Sequence, residues 1–309
     1  MDDKMKRPDP VESKHGWTRL WPGVGRYRAW RGQVFLCLCV AFVVLWTVSP
    51  FVYLLLSSIK TNLDIMAFPP VWVPKHPYLD NYHDILFGTG NVDTPAGRFR
   101  ACLRNSIVIA SCTTLICVAA GSLAGYALQR VEFWGRRGFS TGILMIQMFP
   151  FIAMLIPLFM LITRLGLRDN VWSLIFVHSA YIAPYSAWIM RTFFSAVPRD
   201  LEDAALIDGT SRLGALFRIS MPLAAPGMAA VAVVAFLMSW NDFLGGLVFT
   251  TTTKAMPVTV ISAQFSSQTG ADLGLMATGV VVAMGPPVIL ALLFQRFLIS
   301  GLTAGAVKG

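Results

Sequence analysis

The chain has 309 residues, 55% of them hydrophobic and only 13% charged, against about 25% charged in ordinary soluble domains, which excludes a water-soluble class and points to the membrane. A net charge of +9 would suit a nucleic-acid partner, but the basic residues lie between apolar runs with no zinc, helix-turn-helix or RNA-binding pattern. Cys37, Cys39, Cys102, Cys112 and Cys117 fall in or beside apolar segments and read as small buried hydrophobes, while the scattered His15, His76, His83 and His178 read as isolated surface or packing residues, so no catalytic or metal constellation is expected.

Residues 1–33 form a basic cytoplasmic tail, too long and polar to precede a cleaved signal. A bilayer core of about 30 Å needs roughly 20 apolar helical residues, and six uncharged runs meet that length: Gly32 to Ile59, Asn105 to Gln129, Gly138 to Thr163, Asn170 to Met190, Ile219 to Asn241 and Leu273 to Gln295. Barrel strands would be about 10 residues long and alternating; these runs are neither. The expected fold is an all-α integral membrane protein with six transmembrane helices over residues 34–299, kinked at Pro50, Pro157, Pro184 and Pro286 with Pro287.

An external segment, residues 60–101, follows the first run and reads mainly as a structured loop, with a short surface helix as the alternative for "LDNYHDILFGTGNVDT". Arginines and lysines concentrate in the N-terminal tail, after the second run (Arg130, Arg136, Arg137) and after the fourth (Arg191, Arg199, Arg212, Arg218). The positive-inside rule therefore places both termini, including the tail 300–309, in the cytoplasm of a multi-pass protein of the bacterial inner membrane.

The polar insert at 197–222 is cytoplasmic by the same rule. In "VPRDLEDAALIDG", Pro198 and Asp200 suit a helix start and Gly209 a helix stop. Leu201, Ala204, Ala205, Leu206 and Ile207 form an apolar side, with Glu202, Asp203 and Asp208 at its polar edges. A second short helix, "SRLGALFRISM", capped by Thr210 or Ser211, leads to Pro222. So short a helix is marginal alone and needs a surface to dock on. That surface is lipid or protein, and the adjacent acids disfavour anionic lipid.

The insert resembles the EAA loop of ATP-binding-cassette importer permeases, in the MalG-like branch of binding-protein-dependent carbohydrate permeases. The family's Glu-Ala-Ala, three residues, Gly, nine residues, Ile-x-Leu-Pro stands here as Asp203, Ala204, Ala205, then Gly209, then Ile219, Ser220, Met221 and Pro222. Asp and Met replace the usual Glu and Leu. "NSIVIA", "GYALQRVEFWGRR", "PLFMLITRLGLRDN", "WNDFLGGLVF" and "QRFLISGLTAGAVKG" resemble the same branch in the same order.

The resemblance implies an importer-permease fold in which Glu202 to Gly209 form a cytoplasmic coupling helix seated in a cleft of an ATPase subunit, with Ser211 to Met221 as the returning arm. It also implies a second, homologous permease subunit, two ATPase subunits that use ATP and magnesium, an extracytoplasmic solute-binding protein and a C-terminal tail that reaches the ATPases. This chain itself would be no enzyme and hold no cofactor. Gln147, Tyr181, Trp240 and Asn241 are candidate lining residues for a sugar path, or equally interhelical contacts and interfacial anchors. Asp242, at the end of the fifth run, reads as an inexpensive interfacial charge. The alternatives are an ion-coupled secondary transporter, disfavoured by spans thought free of ionisable groups, and an importer permease for a polyol or glycerol phosphate.

Overall fold

The computed structural model describes residues 22–88, 94–265 and 272–306, with side chains over 32–88, 94–265 and 272–295. The tail before residue 22 and the final residues 307–309 lie outside the described residues, and with them most of the N-terminal basic cluster and the end of the tail expected to reach the ATPases. The chain forms two compact units, residues 1–53 and 54–309. The first unit contains most of α1 (Pro22–Ser58), a helix that runs on through Pro50. Within Gly32–Ser58 an 18-residue window reaches a mean hydropathy of 2.4 with none of it buried, the character of a lipid-facing span.

In the second unit, α2 (Asn62–Met66) and α3 (Asp80–Phe87) occupy the external segment. The segment mainly expected to be loop therefore carries a helix, because Asn81 and Ile85 of α3 are buried and anchor it to the bundle. Next comes α4 (Pro95–Arg130), which begins well before Asn105 because Thr94 caps it, its hydroxyl accepting from Gly97 N, and Pro95 occupies the first turn. The bundle continues with α5 (Arg136–Met148), α6 (Phe151–Arg164) and α7 (Val171–Ala196). The polar insert comprises α8 (Arg199–Ile207), α9 (Arg212–Ala215), a π turn at Leu216–Ser220 and α10 (Met221–Leu223). The chain then forms α11 (Ala225–Trp240), α12 (Leu244–Phe249), α13 (Val258–Gln264) and α14 (Leu273–Ala306).

The six expected spans become three long apolar helices, Gly32–Ser58, Pro95–Arg130 and Leu273–Gln295, or five crossings if two bent pairs each count as one. Those pairs are α5 with α6, bent by 95°, and the α9–α10 arm with α11, bent by 76°. The sharp bends thus lie at Phe149–Pro150 and Ala224, whereas Pro157, Pro184, Pro286 and Pro287 are carried inside continuous helices. The helix α7 is long enough at 26 residues and carries buried Ser173, His178, Ser179 and Ser186, but no stretch of it is apolar enough to be counted among the candidate spans.

The pair α4 and α7 forms the centre of the unit. Glycine permits their close approach: a Cβ on Gly121 would meet the Ser186 Cβ at 2.7 Å, and one on Gly125 would meet the Met190 Cβ at 2.6 Å. This is the small-xxx-small spacing by which helices pack backbone to backbone in membranes. Around them Phe99, Phe236, Trp240, Met256 and Phe265 fill one cluster, and Met190, Phe194 and Leu216 another.

Candidate functional site: the polar insert and a cavity between α6, α7 and α11

At the loop end, α8 opens with Asp200 and Glu202 in its first turn, where acids complement the helix dipole; no side chain caps it. It stops at Gly209, whose φ of +85° is in the left-handed region. Gly209 N donates to Leu206 O at 3.1 Å and Thr210 N to Ala205 O at 2.9 Å, the paired bonds of a Schellman stop. Ser211, one of the two expected caps, accepts from Gly214 N at 3.1 Å and starts α9.

The expectation that Glu202 would lie at a polar edge of the helix is overturned: it turns inward. Glu202 is 7% exposed, whereas Leu201 is 45% and Ile207 86% exposed. A carboxylate goes inward only when its oxygens are satisfied. Arg130 Nε donates to Glu202 Oε1 at 2.9 Å, Ser220 Oγ to the same oxygen at 2.7 Å, and Tyr126 OH to Oε2 at 3.1 Å. Arg130 also donates to Val197 O at 2.7 Å. One buried ion pair thus joins α4, the end of α7, α8 and the returning arm. Ala205 is the other buried residue of α8. Asp203, Ala204, Asp208, Gly209 and Pro222 are exposed and Ile219 is half-buried. Asp203 borders a small polar cavity with Arg199 and Arg212. Arg136 donates to Leu128 O and Gln129 O, at 2.6 and 3.1 Å, and so satisfies the last carbonyls of α4.

At the other end of α7 and α11, the structure separates the four lining candidates. Tyr181 and Asn241 border one cavity of about 170 Å³ with Phe151, Ile182, Met238 and Asp242. Gln147 donates to Tyr181 O at 3.0 Å and so braces that wall. Trp240 is 4% exposed and stacks on Phe236 within the core, away from the cavity lining. A larger groove of about 580 Å³ between α4, α5 and α7 is lined mostly by alanine, glycine and isoleucine, with nothing to hydrogen-bond a hydroxylated solute.

His178 and Asp242, both set aside on sequence grounds, are partners. His178 Nε2 donates to Asp242 Oδ2 at 2.9 Å, and Nδ1 meets Ser239 Oγ at 2.8 Å. Gly245 N and Gly246 N also donate to the Asp242 carboxylate. His178 lies within the fourth apolar run, so the spans are not free of ionisable groups. The spacing of His178, Ser239 and Asp242 in sequence could not pair them; only the packing of α7 on α11 does. Nearby, Asp169 adopts φ 56° and accepts from Thr251 N at 2.8 Å and Thr252 N at 2.9 Å, locking the α6–α7 loop to the α12–α13 loop. Partial burial pushes the Asp169 carboxyl up, but the hydrogen bonds from Thr251 and Thr252, with the Lys254 charge, outweigh it and hold it below the ordinary aspartate range.

Among the described residues no three His, Cys, Asp or Glu side chains gather in a way that could hold a metal ion. Residues 118–303 match the family model for the binding-protein-dependent transport system inner membrane component. The chain is 36% identical over 278 residues to the trehalose/maltose transport system permease protein MalG of Thermococcus litoralis, covering 90% of this chain and 97% of that one. It is 38% identical over 239 residues to the trehalose transport system permease protein SugB of Mycobacterium tuberculosis, covering 77% and 84%. Its fold matches a chain of a bacterial ABC transporter involved in the import of the acidic polysaccharide alginate, with a TM-score of 0.70 and 21% identity over 85% of this chain and 95% of that chain. The chain therefore belongs to the binding-protein-dependent inner membrane components, the non-catalytic permease subunits through which ATP-driven importers pass their solutes.

Proposed function

We propose that this subunit is one of two homologous permeases of a carbohydrate importer in the MalG-like branch, and that α8 is its coupling helix. The observation that carries this is the inversion of α8: Glu202 pins the helix from behind while Leu201 and Ile207 project outward at 45% and 86% exposure. Apolar side chains held outward on a helix too short to stand alone fit a protein cleft. Asp203, Ala204, Asp208 and Gly209 share the exposed surface, with Ala205, Ile219 and Pro222 shaping the turn and the returning arm. The cleft would belong to a cytosolic ATPase subunit, one of two that use ATP and magnesium, and an extracytoplasmic binding protein would deliver the solute.

In this reading α7 completes six crossings of the bacterial inner membrane, both termini are cytoplasmic, and residues 1–33, 34–299 and 300–309 are tail, permease domain and tail. The sugar class rests on the named substrates of the relatives, trehalose and maltose among them. A polyol or glycerol phosphate carrier would share the same scaffold. Family membership assigns the energy to ATPase subunits, which leaves the ion-driven alternative without support.

Ile207→Asp tests the coupling assignment, since a surface change of this kind alters folding stability by only about 0.5 kcal/mol or less. The tagged variant is expected to lose most of the co-purifying ATPase subunit while the partner permease stays bound. Full retention of the ATPase and undiminished uptake in proteoliposomes would overturn the assignment.

A further inference from the structure

The geometry of the cavity between α6, α7 and α11 points to a sugar subsite that selects against negative charge, with Asp242 as its polar anchor; this rests on the importer reading above and specifies its substrate class. The cavity, about 170 Å³, is below the roughly 300 Å³ at which pockets for drug-sized ligands begin, so it fits one ring of a longer sugar. Its walls divide by chemistry. Phe151 and Tyr181, with ring centroids 5.1 Å apart, offer apolar faces for the C–H side of a pyranose. The same cavity is lined by Asn241, which is exposed, and by Asp242, whose side chains supply acceptors and donors suited to ring hydroxyls.

Asp242 is held in place to serve this role. Its side chain is 13% exposed, and that of His178 behind it 6%. The imidazole Nε2 and two backbone amides, Gly245 N and Gly246 N, fix the carboxylate, and none of those three residues lines the cavity. The other ring nitrogen, Nδ1, meets Ser239 Oγ at 2.8 Å, so the histidine orientation is fixed as well. Oδ2 already accepts from both His178 and Gly246, whereas Oδ1 accepts only from Gly245 and keeps a further acceptor direction for a sugar hydroxyl; hydrogen bonds to a charged acceptor are the stronger kind.

The same group repels. The residues lining the cavity include no lysine or arginine, so a uronate or sugar phosphate entering it would bring a second negative charge against Asp242 with neither of these side chains to offset it. An uncompensated like-charge pair in a confined site is a means of rejection. His178 would thus be a positioning residue, Asp242 and Asn241 direct ligand contacts, and the favoured solutes neutral sugars.

The test uses the purified complex of this chain with its partner permease and ATPase subunits, in detergent and without binding protein. Saturation-transfer difference NMR would be recorded with maltose, trehalose and diacetylchitobiose, and with a digalacturonate as the anionic probe. The neutral sugars should give saturation and the digalacturonate none. Asp242→Asn and Asn241→Ala should each weaken the neutral-sugar response about ten-fold or more, the scale of one lost hydrogen bond to a charged or polar partner. Asp242→Asn should also admit the digalacturonate. Asn241→Ala leaves the His178–Asp242 pair intact, so it remains informative if Asp242→Asn fails to fold. No response from any neutral sugar, an equal response from digalacturonate, or an undiminished response in both variants would overturn the subsite. ATPase co-purification and ATP turnover in the same samples report separately on the importer assignment.

Discussion

Glu202 and Asp203 are adjacent acids with opposite surroundings, and the difference follows from what each can reach. Glu202 faces Arg130, Tyr126 and Ser220; Asp203 is exposed beside Arg199 and Arg212. Removing one partner of a buried pair leaves the other unpaired, at a cost of about 3–5 kcal/mol, whereas replacing both by apolar groups is often neutral. Glu202→Ala and Arg130→Ala should each lower the thermal midpoint of the purified complex by several degrees, and Glu202→Leu with Arg130→Met should recover most of that loss in a double-mutant cycle. Asp203→Asn, at an exposed position, should leave the midpoint unchanged. Asp169 makes a parallel case at the other end of α7. Its folded pKa is depressed below the ordinary 3.8, so the stability it contributes is fully present above that value and is lost only as pH falls through the depressed one. Hydrogen exchange at Thr251 and Thr252 should therefore show unchanged loop opening, after correction for intrinsic rates, from pH 8 to 5. Asp169→Asn, which still tolerates the left-handed backbone, should speed that exchange about ten-fold at every pH in the range.

At the scale of helices, the apolar runs located the long elements because hydropathy reports burial in lipid or core, and Gly209 and Ser211 located the ends of the short helices of the polar insert because their chemistry is local. The bends were not so available. Pro150 breaks the third run because it begins a new helix after Phe149, while Pro157 and Pro184 are absorbed within helices; the sequence around each proline does not distinguish the two outcomes. The inward turn of Glu202 and the His178–Asp242 pair depend on residues more than sixty positions apart, so local pattern could not reveal either. One available signal was overlooked: Gly121 and Gly125 have the spacing of a tight membrane crossing. Gly125→Val would set a β-branched side chain where even a Cβ meets backbone at 2.8 Å, at Arg191 N, and neither α4 nor α7 can yield without separating. The variant should fail to accumulate in the membrane or melt well below the parent, whereas Gly138→Val, with open space around it, should behave like the parent; equal stability of the two variants would refute the tight crossing.

Across the whole molecule, α4 links the two ends that the function requires. Its C-terminal end holds Glu202 through Arg130, and its N-terminal part holds the α12–α13 loop, where Asn105 Nδ2 donates to Thr253 O at 2.9 Å and to Met256 O at 3.1 Å. Arg130 and Asn105 are about 38 Å apart along the helix at 1.5 Å per residue. A displacement of α8 by an ATPase would reach α4 directly through the buried pair, as well as through the chain by way of the returning arm. The two routes make different predictions for Glu202→Gln, which keeps the shape and a hydrogen bond but removes the charge. If the buried pair carries the displacement, the complex should retain its ATPase subunits, since Leu201 and Ile207 are untouched. It should then hydrolyse ATP at a rate less responsive to the loaded binding protein, and uptake per ATP should fall by about ten-fold, the scale expected for loss of a charge-assisted contact. If the chain connection alone carries it, uptake per ATP should stay at the parental value in Glu202→Gln and fall only when the returning arm itself is altered, for example by Gly insertion after Ser211. Parallel measurements of uptake and hydrolysis in one proteoliposome preparation separate the two, because a loss of folding would depress both together whereas a loss of coupling depresses only their ratio.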